Sequence, residues 1–210
     1  MTQTIQNVRL LTTDSAEWRA YVKSCMSAEA SYRNPKYSDL GAIHTHWFEE
    51  AVRAELKRTN FLREERILSW QECDARGHKK SYFHELDGVL FFNDIVITVE
   101  IKFSLSSSSI RNATQQVNLA SRILCSRYPR VSTLRIFGDG RAYCPQLGRD
   151  EEAVSQLVAS ELNTLIEIPW NTTLISANTS YVSLLEGNSL DELCKRHPHP
   201  LDEFDSYREI

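Results

Sequence analysis

Residues 83–103 read FHELDGVLFFNDIVITVEIKF, and this stretch decides the fold of the chain. Residues 83–89 and 97–103 both have the composition of β-strands. Between these strands, Asn93-Asp94 is typical of a two-residue hairpin turn. The sequence therefore predicts an antiparallel β-hairpin.

A two-residue turn at this position fixes which residues lie opposite each other. Residues whose numbers sum to 187 become partners, so Asp87 is expected to face Glu100 and Glu85 to face Lys102. Side chains alternate between the two faces of a strand, so these four residues share one face. The opposite face of the second strand is apolar and is predicted to belong to the core; it carries Ile95, Ile97, Val99, Ile101 and Phe103.

Two like charges opposite each other on neighbouring strands repel, so Asp87 and Glu100 require compensation. A bound divalent cation or the ammonium group of Lys102 would provide it. The simpler interpretation is a solvated strand face on which Glu85 and Lys102 form an ordinary ion pair. The apolar flanks of the hairpin favour a functional site.

The composition is that of an ordinary globular protein. Of the 210 residues, 41% are hydrophobic and 25% are charged. No apolar run approaches the roughly 20 residues that span a bilayer. The N-terminal residues show no secretory signal, and the five cysteines have no Cys-x-x-Cys spacing. These features predict a cytoplasmic protein with reduced thiols and no membrane contact.

The net charge of −4 is unevenly distributed. Residues 186–210 contain seven acidic and three basic side chains, whereas residues 1–185 are balanced. We therefore expect one domain over residues 1–185 and an acidic C-terminal tail over residues 186–210. Residues 103–149 carry seven arginines and one acidic residue, a composition suited to phosphate contacts as well as to solvated helix faces.

The remaining pattern predicts an α/β fold. Apolar spacing, capping residues and turn signals predict an N-terminal helix, a core of helix, three strands, helix and strand, and a C-terminal extension. The predicted helices cover residues 14–30, 42–58, 109–126 and 151–166, and the predicted strands outside the hairpin cover residues 61–70 and 131–137, with an apolar stretch at 172–185.

Over residues 41–137, the sequence resembles the PD-(D/E)XK nuclease superfamily, whose fold is the restriction-endonuclease-like core. Asp87 matches the first acidic residue of its signature, and Glu100-Ile101-Lys102 matches the tripeptide. Leu86 stands where some members carry proline. The tripeptide alone is common in proteins, and the order of the surrounding elements makes the match more specific.

Two further positions fit the resemblance. Many members place a glutamate on the first core helix, and Glu49 fits better than Glu50 because it shares a helical face with apolar residues. Several members carry a glutamine on the later helix, where Gln116 fits better than Gln115. Either position is equally well explained as a helix-surface residue.

The resemblance implies a Mg²⁺-dependent endonuclease, with Mn²⁺ able to substitute. The implied metal ligands are Asp87, Glu100, the backbone carbonyl of Ile101 and Glu49. Lys102 would orient or activate the attacking water and stabilise negative charge at the phosphate, and Gln116 would position water or backbone. The implied substrate is DNA, in restriction, phage defence, repair or transposition.

The predicted phosphate contacts are Lys79, Lys80, Arg111 and Arg122. The balanced charge of residues 1–185 argues against strong autonomous DNA binding, so a protein partner or a homodimer is expected. Two alternatives stay open at this point: a catalytically inactive nuclease-like subunit that acts as an interaction module, and an α/β binding domain without metal.

The histidines do not suggest another enzyme class. His84 alternates to the face opposite the acidic residues, which predicts a structural role. Cys194, His197 and His199 resemble a zinc-ligand spacing, but the prolines among them are more typical of an extended tail than of a metal site.

Overall fold

The computed structural model describes residues 4–30, 40–92, 94–160 and 180–200. These residues form a mixed α/β fold with two β-sheets and five α-helices. The strands are β1 (Thr4–Leu11), β2 (Ile67–Cys73), β3 (Lys79–Glu85), β4 (Gly88–Phe92), β5 (Ile95–Lys102), β6 (Arg130–Gly138) and β7 (Ser180–Leu185). The helices are α1 (Ala16–Ala30), α2 (Leu40–Lys57), α3 (Ser107–Leu124), α4 (Glu151–Ser160) and α5 (Asn188–Arg196).

The three-stranded sheet is antiparallel, in the order β1-β2-β3. The four-stranded sheet has the order β4-β5-β6-β7, with β4 antiparallel to β5 and the other neighbours parallel. Helix α3 connects the parallel strands β5 and β6, as such crossovers require. Its first turn is capped by Ser106, whose side chain accepts a hydrogen bond from the Ser109 N–H.

Two hydrophobic clusters cover the two faces of the four-stranded sheet. Ile97, Val99 and Ile101 of β5 pack against α2 on one face. Val96 of the same strand packs on the other face, together with α3 and the three-stranded sheet. The predicted apolar face of β5 is therefore a core face, and the opposite face is covered as well.

Helix α2 is held against the sheet by aromatic packing. The rings of Phe48 and Phe103 stack with centroids 4.4 Å apart, and both side chains are buried. A Cβ atom at Gly138 would lie 2.6 Å from Cζ of Phe48, so only glycine fits beneath this stack. This packing fixes the position of Glu49, the next residue along α2.

The predicted register of the hairpin is confirmed from Gly88 opposite Val99 to Phe92 opposite Ile95. The predicted pairing of Glu85 with Lys102 is wrong. Strand β4 begins only at Gly88, and Glu85 lies in β3, opposite Ile67 of the three-stranded sheet. The stretch 83–89 is thus divided between two sheets.

The strand predicted at 61–70 also differs from the structure. It is β2, which starts at Ile67 and belongs to the three-stranded sheet. Upstream of it, Leu62 forms only an isolated bridge with Leu90 of β4. Strand β1 at the N-terminus was not predicted.

The described part of the segment after residue 185 packs into the domain. Leu193 of α5 is fully buried in the cluster that also contains α2, and His199 is 1% exposed. Residues 186–200 are therefore not an extended tail. The predictions for residues 161–166, 172–179 and 201–210 lie outside the described residues. Within the described ranges, no helix is long and apolar enough to cross a membrane.

Candidate functional site

The candidate site lies where the chain passes from one sheet to the other. Asp87 follows β3 and directly precedes β4. Its Oδ2 accepts a hydrogen bond of 2.7 Å from the backbone N–H of Ile101. This bond continues the hairpin beyond its last paired residue and holds the carboxylate beside the C-terminal end of β5.

Glu100 and Lys102 share the face of β5 that Asp87 adjoins. The side chain of Glu100 is 2% exposed and forms an ion pair with Nζ of Lys102. Burial raises the pKa of Glu100 to about 7, the nearby charge of Asp87 adds to this increase, and Lys102 opposes it. Burial lowers the pKa of Lys102, but the charges of Glu100, Asp87 and Glu49 outweigh burial and raise it above the usual value. The lysine is therefore a cation at neutral pH.

Glu49 contributes the third carboxyl group of the cluster, from α2. Burial and the charge of Asp87 raise the pKa of Glu49 to about 7, while Lys102 and Arg53 act in the opposite direction. Arg53 ties α2 to the hairpin because its Nε donates a 2.9 Å hydrogen bond to the carbonyl oxygen of Asp87. Glu50 instead forms an ion pair with Arg53 and is 53% exposed. The electrostatics of the cluster thus involve Glu49 far more than its neighbour.

The glutamines predicted to serve the site lie on α3. Gln116 is half-buried and Gln115 is exposed, and the role of Gln116 stays a prediction. Thr114 of the same helix contacts the sheet, since its Oγ1 accepts a 2.9 Å hydrogen bond from Nη1 of Arg135. Arg135 lies opposite Glu100 on the adjacent strand β6.

His84 lies closer to the acidic residues than the sequence predicted. It is opposite Leu68 in the β2–β3 ladder, so its side chain points to the inner face of the three-stranded sheet. That face is directed at the side of the four-stranded sheet that carries Glu100. The sequence-based prediction treated residues 83–89 as one strand, and alternation along that strand put His84 on the face away from the acidic residues.

Three of the seven arginines of the predicted basic region form ion pairs. Arg130, Arg141 and Arg149 form ion pairs with carboxylates, and Arg127 bonds to the carbonyl of Val8. Arg111 and Arg122 on α3 are exposed and make no ion pair with a described residue. Lys79 and Lys80 at the start of β3 are also exposed, and Nζ of Lys80 lies 4.9 Å above the ring of Tyr82.

The donor set partly fits a hard divalent cation. Three carboxyl groups and one lysine leave an excess of negative charge, and carboxylate and carbonyl oxygens are the donors that Mg²⁺ prefers. However, no three acidic, histidine or cysteine side chains among the described residues are arranged to hold an ion. The fit is therefore one of charge and chemistry.

The residues with zinc-like spacing have separate partners. Nε2 of His199 lies 2.8 Å from Nδ1 of His44, and Nε2 of His197 lies 2.8 Å from Oε1 of the buried Glu55. Sγ of Cys194 lies 2.5 Å from the hydroxyl of Tyr143. The two histidine contacts hold the segment after α5 against α2.

The sequence matches no protein-family model, and no curated protein is significantly similar to it. The assignment of a function therefore rests on the residues of the site and their arrangement.

Proposed function

We propose that this protein is a metal-dependent endonuclease that hydrolyses phosphodiester bonds, with Mg²⁺ as the natural ion and DNA as the substrate. The observation that carries the proposal is the convergence of Glu49, Asp87 and Glu100 with Lys102 at one end of β5. Burial and mutual repulsion raise the pKa of both glutamates, as expected of a site that receives a cation. The hairpin, the crossover helix α3 and strand β6 support a restriction-endonuclease-like core.

Asp87, Glu100 and the carbonyl oxygen of Ile101 would hold the ion, and Glu49 would join them directly or through water. When bound, the ion supplies a hydroxide nucleophile at neutral pH and Lewis-acid stabilisation of the phosphate oxygens. The hydrogen bond from the Ile101 N–H orients the Asp87 carboxylate before any ion arrives. This preorganisation reduces the cost of assembling the site.

Lys102 has the role of a cationic donor in this mechanism. Its raised pKa keeps it protonated at neutral pH, so it cannot serve as the general base. Its ammonium group would leave the ion pair with Glu100 to donate to a non-bridging oxygen of the scissile phosphate. There it stabilises the negative charge that develops as water attacks phosphorus and the bond to the leaving oxygen breaks.

The exposed face of α3 is the proposed contact for the DNA backbone. Arg111 and Arg122 are separated by three helical turns and lie on the same side of the helix, with Gln115 and Asn118 between them. Helix α3 carries no acidic residue. Lys79 and Lys80 would add contacts to phosphate, which position the substrate without reading its sequence. The few free cations suggest that a protein partner or a second copy contributes to binding.

The proposed location is a reducing compartment such as the cytoplasm. No two of the five cysteines are joined by a disulfide. A role in restriction, phage defence, repair or transposition is consistent with such an enzyme.

A cleavage assay tests the function. Purified protein is incubated with supercoiled plasmid, linear DNA and RNA in Mg²⁺, Mn²⁺ or EDTA. We expect cleavage of DNA that requires the ion and is lost in Asp87→Ala and Lys102→Ala, with Glu65→Gln, at an exposed position, as the control. Cleavage that survives both alanine substitutions, or that proceeds in EDTA, would overturn the assignment.

A catalytically inactive nuclease-like subunit is the second candidate. The observation in its favour is that the described residues include no ready-made set of three side chains for an ion. Under this alternative, the protein binds DNA or a partner protein but cleaves nothing with any ion. Binding of labelled DNA with no cleavage under every condition would favour it.

A further inference from the structure

His84 lies in the space between the two sheets, beside the proposed active site. Glu100 is on the side of the four-stranded sheet that faces α3 and the three-stranded sheet, and His84 points from the three-stranded sheet toward that side. The charges of Asp87 and Lys102 act on its imidazole. Only two residues separate His84 from Asp87 along the chain.

The imidazole has one nitrogen whose hydrogen-bonding capacity is unused. Nε2 of His84 is shielded from solvent and has no hydrogen-bond partner among the described residues. A buried polar atom without a partner is unfavourable, so such atoms normally have one in the working protein. Burial lowers the pKa of His84, with a further contribution from Lys102, although Asp87 and Glu85 act in the opposite direction. At pH 8 the ring is neutral, and Nε2 can therefore present a lone pair.

We propose that His84 belongs to the active site and that its Nε2 accepts a hydrogen bond from the water molecule that attacks the phosphorus atom. This proposal rests on the nuclease function proposed above. His84 holds the water in place and takes no proton from it. We assign it no direct bond to the ion.

Substitutions that reproduce one ring nitrogen test this role. The amide group of glutamine reaches the position of Nε2, whereas that of asparagine reaches only Nδ1. If the wild type cleaves DNA, we expect kcat to fall about a hundredfold in His84→Ala and His84→Asn, since a misplaced nucleophile lowers the rate by about this factor. His84→Gln should recover most of the loss, and DNA affinity measured with Ca²⁺ should be unchanged in all three variants.

A control variant and a stability measurement exclude trivial explanations. His78 is 77% exposed, so His78→Gln should leave cleavage unchanged. Far-UV circular dichroism and urea unfolding show whether each His84 variant is folded. The cleavage rates of His84→Gln and His84→Asn are compared once the two variants are shown to be equally stable. Cleavage by His84→Ala at the wild-type rate would overturn the role of His84 while leaving the nuclease intact.

Nuclear magnetic resonance provides a readout that does not depend on cleavage. In protein labelled with ¹⁵N-histidine, we expect His84 to carry its proton on Nδ1 at pH 8. Added Mn²⁺ should broaden the ring signals of His84 in the wild type but not in Asp87→Asn. A His84 signal that is insensitive to Mn²⁺, or a proton on Nε2, would overturn the proposal.

The failures of the two proposals are distinguishable. If the wild type cleaves no substrate with any ion, the nuclease function fails and the role of His84 in positioning water fails with it. If cleavage requires Asp87 but does not respond to His84, only the further inference fails.

Discussion

Replacement of Asp87 by asparagine should reduce the pH dependence of the stability of the metal-free protein. The asparagine side chain keeps an oxygen that can accept the hydrogen bond from the Ile101 N–H, but it carries no negative charge. The charge of Asp87 is the largest electrostatic contribution, after burial, to the raised pKa of both Glu49 and Glu100. The substitution therefore isolates the repulsion within the cluster.

The sign of the effect follows from the direction of the pKa shifts. A carboxyl group whose pKa is raised on folding keeps its proton in the folded state after the unfolded chain has lost it. The contribution of Glu49 and Glu100 to stability should therefore be largest below about pH 4.5, the usual value for glutamate, and be lost as the pH rises to about 7. In Asp87→Asn, the pKa values of Glu49 and Glu100 should fall part of the way back to 4.5, so less stability is lost between pH 4.5 and pH 7.

The magnitude can be worked from the shifts. An increase from 4.5 to about 7 corresponds to about 3 kcal/mol for the buried Glu100. A like charge in a partly buried site accounts for on the order of 1 kcal/mol of it. Glu49 is half-buried, so its share is discounted for solvent screening. Between pH 5 and pH 8, we expect the wild type to lose about 1–2 kcal/mol more free energy of unfolding than the variant.

Urea unfolding at pH 5 and pH 8 in EDTA, followed by tryptophan fluorescence, measures this difference. Attraction between Asp87 and Lys102 is the same at both pH values and cancels, because Lys102 is protonated at both. Glu65→Gln removes a charge from an exposed position and should leave the pH dependence at the wild-type value. Equal losses of stability in the wild type and Asp87→Asn would refute the coupling of the three carboxyl groups.

Three further predictions test other parts of the structure. Lys102→Met should destabilise the metal-free protein by about 2 kcal/mol at pH 8, because Glu100 is ionised there and is left buried without its partner. The loss should be smaller at pH 5. Urea unfolding that shows the same loss at both pH values would contradict the buried ion pair. Leu193→Ala should cost about 2–4 kcal/mol in the same assay because the side chain is fully buried, whereas a loss near zero would mean that α5 is not part of the core. Arg111→Ala and Arg122→Ala should each reduce the slope of log Kd for DNA against log salt by about 1, measured by fluorescence anisotropy, and unchanged slopes would remove α3 from the proposed interface.

Elements with strong local patterns were predicted well from the sequence. The helix expected at 42–58 is Leu40–Lys57, the helix expected at 109–126 is Ser107–Leu124, and the strand expected at 131–137 is Arg130–Gly138. Apolar periodicity and the Ser106 cap define them without tertiary information. The hairpin register was predictable for the same reason, since a short turn fixes it locally.

The features that were missed depend on distant parts of the chain. Strand β1 pairs with β2, some sixty residues later, and its polar sequence gives little alternation. The break at Leu86-Asp87 follows from the pairing of β3 with β2, which the sequence of residues 83–89 does not reveal. The proline-containing segment 197–200 lacks periodicity, yet His199 is buried by its contact with His44, 155 positions earlier. Where His84 points was misjudged for the same reason.

The contact between α5 and α2 has a consequence for synthesis of the protein on the ribosome. Leu190 and Leu193 cover the helix that carries Glu49, although they are translated about 140 residues after it. A nascent chain that has not yet emerged as far as α5 leaves that side of α2 exposed to water. Burial of that side of α2 is therefore completed only after the late part of the chain has left the exit tunnel.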